Sequence, residues 1–267
     1  MPYKLIATDM DGTLLDDANE VTPAVREAIK EAQSRGVYFT ISTGRPIQGV
    51  ERYLDLLDGD IPVISCNGAL LITARTRHIL MRSEISRSSA SEILERGIRE
   101  GAVVAAWSGG LLYSSEAGSA YSAFYKALSN MDSLDISLLP DTDVTKIVWI
   151  MTPERVIQLQ KSYVPPAGVQ SKSSGEYFLE FFSSEAGKDK ALGVLAGQLG
   201  IDASETIAIG DNYNDIEMLR FAGLGVAMGN APDEVKKFAD IVTVSNNEDG
   251  VAQVIKQFVL SDSKNEL

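Results

Sequence analysis

Short apolar runs that break off on polar clusters, each followed by a helical stretch, constrain this chain more than any other feature. Lys4-Leu5-Ile6-Ala7-Thr8 predicts a buried strand, and it stops abruptly at Asp9-Met10-Asp11-Gly12-Thr13. Thr22-Pro23 predicts a helix start, with Thr22 as N-cap and Pro23 at the first helical position. Val25, Ala28, Ile29 and Ala32 supply the apolar stripe of that helix, and Gly36 its stop. Residues 37–41 predict the next strand, which ends on Ser42-Thr43-Gly44-Arg45-Pro46. After another helical stretch, residues 61–65 form a third apolar run, ending on Cys66-Asn67-Gly68-Ala69.

The alternation resumes late in the chain. Residues 188–199 predict a helix closed by Gly200, and residues 206–209 a strand ending on Gly210-Asp211-Asn212-Tyr213-Asn214-Asp215. A helix with apolar Ile216, Leu219 and Ala222 follows. Residues 225–228 and 241–244 predict strands, and residues 231–239 and 251–260 the helices after them. This is an α/β pattern: a parallel sheet with helices on both faces. In such open sheets, ligands bind beyond the carboxyl ends of the strands.

The middle of the chain reads differently. Residues 70–83 predict a hairpin on the sheet edge. From residue 84 come a helix at 90–99, the stretch Trp107-Ser108-Gly109-Gly110, a strand at 146–151, a helix start at Thr152-Pro153-Glu154 and a strand at 177–182. Residues 84–185 therefore read as a separate α+β insertion. Its aromatics Trp107, Tyr113, Tyr121, Phe124 and Tyr125 are expected to form the core of a small domain. The polar tail 261–267 reads as a frayed end.

Four strand ends or helix starts carry unusual polar residues: Asp9 with Asp11, Thr43, Lys188, and Asp211 with Asn214 and Asp215. A parallel sheet gathers them at one edge. Three or four carboxylates there would not all stay ionised without a partner. A hard divalent cation supplies one, and Mg2+ suits two carboxylates, a backbone carbonyl and waters. Thr43, Asn214 and Lys188 alongside point to a phosphate as the remaining ligand. The assembly implies phosphoryl transfer, in which a carboxylate accepts the phosphoryl group. Metal and lysine then stabilise charge, and a second carboxyl moves protons.

Composition narrows the alternatives. With 37 acidic against 24 basic residues the formal net charge is -13, which repels nucleic-acid phosphates and anionic lipid alike. No stretch approaches the roughly 20 apolar residues of a membrane span, and no basic-then-apolar leader opens the sequence. Cys66 is the only cysteine, so no intramolecular disulfide forms, which fits a cytoplasmic protein. His78 is the only histidine and lies in the expected hairpin, which argues against a histidine-based hydrolase. Gly223, Gly225 and Gly229 lack the spacing of a dinucleotide-binding loop.

The motifs also carry a resemblance. Asp9-Met10-Asp11-Gly12-Thr13-Leu14, Thr43-Gly44-Arg45, Lys188 in Gly187-Lys188-Asp189-Lys190-Ala191-Leu192, and Gly210-Asp211-Asn212-Tyr213-Asn214-Asp215-Ile216-Glu217-Met218-Leu219 resemble, in order, the four motifs of the haloacid dehalogenase superfamily phosphatases. The position of the insertion is similar to that of the type IIB cap, and the chain most resembles the Cof-type branch of sugar-phosphate phosphatases. The resemblance covers essentially the whole chain. It implies a Rossmann-like core over 1–83 and 186–267 and a substrate-specificity cap over 84–185. It implies a Mg2+-dependent phosphatase for small phosphorylated metabolites. Asp9 would be nucleophile and metal ligand. Asp11 would be general acid/base and lend its carbonyl to the metal. Thr43 and Lys188 would hold phosphoryl oxygens, and Asp211 would complete the metal ligands. Asn214 would contact the phosphate, Asp215 would support the metal site, and Asn67 would line the pocket with Gly44 and Arg45. Family members usually carry glycine directly after the motif-three lysine, where this chain has Asp189, so Lys190 stands as an alternative to Lys188. A sugar phosphomutase of the same fold, or a phospho-acceptor that does not turn over, are the competing functions.

Overall fold

The structure is a computed structural model that describes residues 2–119, 126, 129–173 and 176–261. Tyr121, Phe124, Tyr125 and residues 262–267 lie outside the described residues. The chain divides into two compact units. One comprises Met1–Gly44, Arg52–Met81 and Gly187–Leu267, the other Arg45–Glu51 and Arg82–Ala186.

The first unit begins with β1 (Leu5–Thr8), α1 (Pro23–Ser34) and β2 (Tyr38–Ile41). The helix forms where the capping residues require it. Thr22 accepts the Val25 N–H at 3.3 Å, Pro23 follows, and Val25, Ala28, Ile29 and Ala32 are all buried. Past its end, Gly36 takes φ +83°, the left-handed turn that glycine makes without a Cβ clash. Residues Ile47–Leu56 wind as a three-residue-per-turn segment rather than an α-helix. β3 (Pro62–Ser65), β4 (Leu70–Thr73) and β5 (Ile79–Arg82) form a three-stranded sheet in that order, with β3 and β4 antiparallel. The backbone of β3 meets the end of β2 at the isolated Ser42–Ile64 bridge. Pro62 has no N–H to give a ladder. The Thr40 hydroxyl instead donates to the Pro62 carbonyl at 2.6 Å.

The second unit holds α2 (Arg87–Arg99), β6 (Val103–Ser108), β7 (Leu111–Ser114), β8 (Ser133–Asp135), β9 (Lys146–Ile150), α3 (Pro153–Ser162), β10 (Val169–Ser173) and β11 (Phe178–Ser183). Its six strands run in the order β10-β11-β9-β6-β7-β8, antiparallel except for β7 with β8. Alternate residues Val104, Ala106, Ile147, Trp149, Leu179 and Phe181 form one buried face with Ala90 and Ile93 of α2 and Leu159 of α3. The Trp149 and Phe181 rings pack tilted, with their centroids 4.6 Å apart. Trp107 and Tyr113 are buried in this unit.

The chain then returns to the first unit with α4 (Lys188–Leu199), β12 (Thr206–Gly210), α5 (Ile216–Phe221), β13 (Leu224–Ala227), α6 (Asp233–Lys236), β14 (Ile241–Val242) and α7 (Gly250–Ile255). Five strands make a parallel sheet in the order β14-β13-β12-β1-β2. The burial of Leu5, Ile6, Ala7, Ile207, Ala208 and Ile209 is complete, as strands covered on both faces require. β1 leads through α1 to one side, and β12 leads through α5 to the other. Right-handed crossovers in opposite directions put those helices on opposite faces. α6 is shorter than residues 231–239 predict, starting after Pro232 at its N-cap and ending at Lys236.

Candidate active site

β1 and β12 lie side by side, and the chain leaves them in opposite directions. Such a topological switch point opens a crevice beyond the strands' carboxyl ends. Asp9 follows β1 and Asp211 follows β12. The Asp9 N–H donates to the Ile209 carbonyl at 2.8 Å, which carries the ladder one residue past β1 and fixes the carboxylate's root.

Lys188 completes the centre. Its ammonium donates to Asp9 Oδ1 at 2.5 Å and to Asp215 Oδ1 at 2.6 Å, and all three side chains are buried. A lysine at the first position of a helix opposes the helix dipole. Here two carboxylates take up that charge. Burial works to lower the Lys188 pKa, but the charges and hydrogen bonds of Asp215 and Asp9 outweigh it and hold it above the usual lysine range. Lys190, two residues on, is exposed. Asp215 uses its second oxygen on backbone, accepting the N–H groups of Asp211 at 3.1 Å and Asn212 at 2.9 Å. It thus braces the loop that carries Asp211.

A second cluster laces three loops together. Cys66, Asn67 and Gly68 all take left-handed φ values, 52°, 56° and 82°. The Asn67 N–H donates to the Thr43 carbonyl at 2.9 Å, and its Oδ1 accepts Asn214 Nδ2 at 2.9 Å. Gly44 packs on the same amide, where a Cβ would lie 3.1 Å from Asn67 Oδ1. Gly68 lies flat against the Gly187 carbonyl, with no room for a Cβ, which seats the start of α4 and hence Lys188. Thr43 is buried. Asp11 presents an exposed side chain in the Met10–Thr13 turn, and Arg45, half-buried, begins the segment that groups with the second unit.

Two further residues sit at this edge. The Thr13 hydroxyl donates to Asp211 Oδ1 at 2.7 Å, and Asn230 Nδ2 donates to the Gly12 carbonyl at 2.8 Å. Thr13 belongs to the same polar cluster as Asp9 and Asp11. Asn230 stands just past β13, so the strand-end logic that singled out the other residues extends to it.

Carboxylate oxygens of Asp9, Asp211 and Asp215 all lie within 4.8 Å of one another. Burial, followed by the charge of Asp215, pushes the Asp9 carboxyl well above the usual range, against the pull of Lys188. Burial likewise raises Asp211 to about 6, although the Thr13 hydroxyl opposes it. Three carboxylates face one ammonium, so the cluster is short of positive charge. The donors are all oxygen, which suits a hard divalent cation rather than a thiophilic metal. Gly12 brings the β1 loop so close that a Cβ there would sit 2.6 Å from Asp211 Oδ2. The residues present fit a metal ion.

Comparison with known proteins follows the same line. The family model for haloacid dehalogenase-like hydrolases matches residues 6–255. The chain belongs to that family. YxeH of Bacillus subtilis is 36% identical over 271 residues, covering 97% of this chain and 99% of its own. YwtE of the same organism, a 5-amino-6-(5-phospho-D-ribitylamino)uracil phosphatase, is 30% identical over 282 residues, covering 96% and 98%. The structure of the subclass IIB sugar phosphatase BT4131 superimposes with a TM-score of 0.81 at 24% identity, covering 96% and 98%, a likeness of fold. Within the haloacid dehalogenase-like family this chain is a phosphatase, a Cof-type member.

Proposed function

We propose that this phosphatase hydrolyses small phosphorylated metabolites, sugar phosphates foremost, with Mg2+ and through an aspartyl-phosphate on Asp9. The observation that carries the reading is the pairing of Asp9 with the buried Lys188 at the switch point, 2.5 Å apart. A carboxylate so paired is aimed, and the lysine charge opposes the burial that favours its protonated form, as a nucleophile requires. The sugar-phosphate preference draws on YwtE, whose named substrate carries its phosphate on a ribityl chain, and on the fold shared with a sugar phosphatase.

In this reading an Asp9 carboxylate oxygen attacks phosphorus, and the bond to the ester oxygen breaks. Asp11 gives the leaving oxygen its proton. Asp11 then takes a proton from water, which attacks phosphorus, releases inorganic phosphate and restores Asp9. Thr43, Lys188 and Asn214 hold phosphoryl oxygens, with Gly44, Arg45 and Asn67 lining the phosphate side. Asp9, the Asp11 carbonyl and Asp211 would hold Mg2+, and Asp215 would act behind them through Lys188 and the Asp211 loop. A bound Mg2+ supplies charge neutralisation at the phosphoryl oxygens. Residues 84–185 act as the cap that selects the leaving group.

The test is phosphate release from a panel of phosphorylated sugars, polyols and other small metabolites, with Mg2+ and with EDTA. Mg2+-dependent release that Asp9→Asn abolishes is expected. Full turnover by that variant would overturn the nucleophile, and release undiminished by EDTA would overturn the metal. A stable phosphoprotein without phosphate release would favour a phospho-acceptor.

A further inference from the structure

The loop that follows β1 is pinned by three asparagines from the other end of the chain. Asn230 Nδ2 donates to the Gly12 carbonyl at 2.8 Å. Asn246 Nδ2 donates to the Leu15 carbonyl at 2.9 Å, and Asn247 Nδ2 to Asp17 Oδ2 at 2.9 Å. The first two are linked, since the Asn246 N–H donates to Asn230 Oδ1 at 3.1 Å. That bond fixes which end of the Asn230 amide carries the donors, so its NH2 group faces Gly12.

Gly12 is the position where such a pin matters. Thr13 N–H closes on the Met10 carbonyl at 3.4 Å, and Gly12 takes φ +78° as the third residue of that turn. A positive φ there is the mark of a type II turn. Its alternative, type I, has the middle peptide flipped. The middle peptide is Asp11–Gly12, and its carbonyl is that of Asp11. The Thr13 N–H bond to Met10 is common to both types, whereas Asn230, on the Gly12 carbonyl, fixes the next peptide, Gly12–Thr13. The same turn carries the Thr13 hydroxyl to Asp211.

We infer that Asn230 is a positioning residue for the metal site: its amide fixes the Gly12–Thr13 peptide and so aims the Thr13 hydroxyl at Asp211. This rests on the reading of Asp211 as a metal ligand. Among the described residues the Asn230 side chain bonds to Gly12 and Asn246, not to the carboxylates, so its effect passes through Gly12.

The test compares Asn230→Asp, Asn230→Ala and Asn247→Ala with the wild type. Aspartate keeps the acceptor for the Asn246 N–H but has no donor for Gly12. Mg2+ affinity is read directly by calorimetry and by the Mg2+-induced rise in melting temperature, and kcat and KM are read alongside. Partners behind a metal's own ligands typically change its affinity about 10- to 100-fold. Both Asn230 variants should therefore bind Mg2+ at least about 10-fold more weakly, with a lower kcat at saturating Mg2+ and little change in KM. Asn247→Ala, which loosens the loop only at Asp17, should bind Mg2+ like the wild type. A folded Asn230→Asp with wild-type Mg2+ affinity overturns the inference, even if Asn230→Ala does not fold. Equal weakening by Asn247→Ala also overturns it, since general loop stiffness would then be the cause. If the wild type itself binds no Mg2+, the metal reading fails first, and that result is distinct from either.

Discussion

An isolated lysine could not occupy the position of Lys188, buried at the start of a helix. Removing its charge leaves Asp9 and Asp215 buried beside each other without a counter-ion, a change that typically costs about 3–5 kcal/mol. Lys188→Met in EDTA should accordingly lose about 3 kcal/mol in urea unfolding and all measurable turnover. Lys190→Ala, on an exposed side chain, should stay within about 0.5 kcal/mol of the wild type. Wild-type turnover in Lys188→Met, or its loss in Lys190→Ala, would transfer the role to Lys190. The sequence left those two open because both stand near the helix start. Two residues along a helix point to different sides, and only the packing of α4 decides which one turns inward. Asp9, Asp211 and Asp215 were legible because carboxylates at strand ends are anomalous in themselves. Thr13 and Asn230 also stand past strand ends, but an uncharged side chain is not anomalous there, and the partners that mark theirs lie 198 and 218 residues away.

Elements whose boundaries rest on local chemistry were the most legible. α1 starts at its Thr-Pro cap, and α4 runs from Lys188 to Leu199 and closes on Gly200 at φ +67°. Long-range pairing was less so. Nothing in residues 61–65 says that β3 would pair along its length with β4 and share with β2 an isolated bridge rather than a ladder. The glycines between elements divide in the same way. Gly36 and Gly68 both take φ above +80°, yet no atom lies within 4 Å of a Cβ at Gly36, while at Gly68 it would overlap the Gly187 carbonyl. Gly36→Ala should cost only the left-handed penalty, about 1–2 kcal/mol. Gly68→Ala must also push the 66–68 loop off the start of α4, and should cost about 3 kcal/mol or more. Because Lys188 follows Gly187, that variant should lose turnover out of proportion to its remaining folded fraction. Equal destabilisation in the two alanine variants, with activity following folded fraction, would mean that the contact does not seat α4.

Across the whole molecule the net charge of -13 already opposes compactness, and the site adds carboxylates that folding buries. Asp211, raised to about 6 mainly by burial, is a carboxyl whose folded pKa lies above its unfolded value near 3.8. Between those limits the folded state holds a proton that the unfolded state has released. Stability of the metal-free protein therefore falls as pH rises from about 4 to about 6, by on the order of 2 kcal/mol from this group. Asp9, raised by burial and by Asp215, acts in the same direction. Exposed Asp17 and Glu248 and half-buried Asp60 are held below their usual range by hydrogen bonds from Asn247, Ser245 and Thr76, and pull the opposite way below about pH 4. The difference between wild type and Asp211→Asn isolates the site. In EDTA, melting temperatures should show the wild type losing stability relative to Asp211→Asn across that window. Mg2+ binds the ionised carboxylates, so its stabilisation should grow as pH rises through the same window, reaching about 2.7 kcal/mol at a hundredfold excess over Kd. It should be much smaller in Asp211→Asn. A Mg2+ increment that is independent of pH, or unchanged in Asp211→Asn, would mean that the cation binds away from these carboxylates.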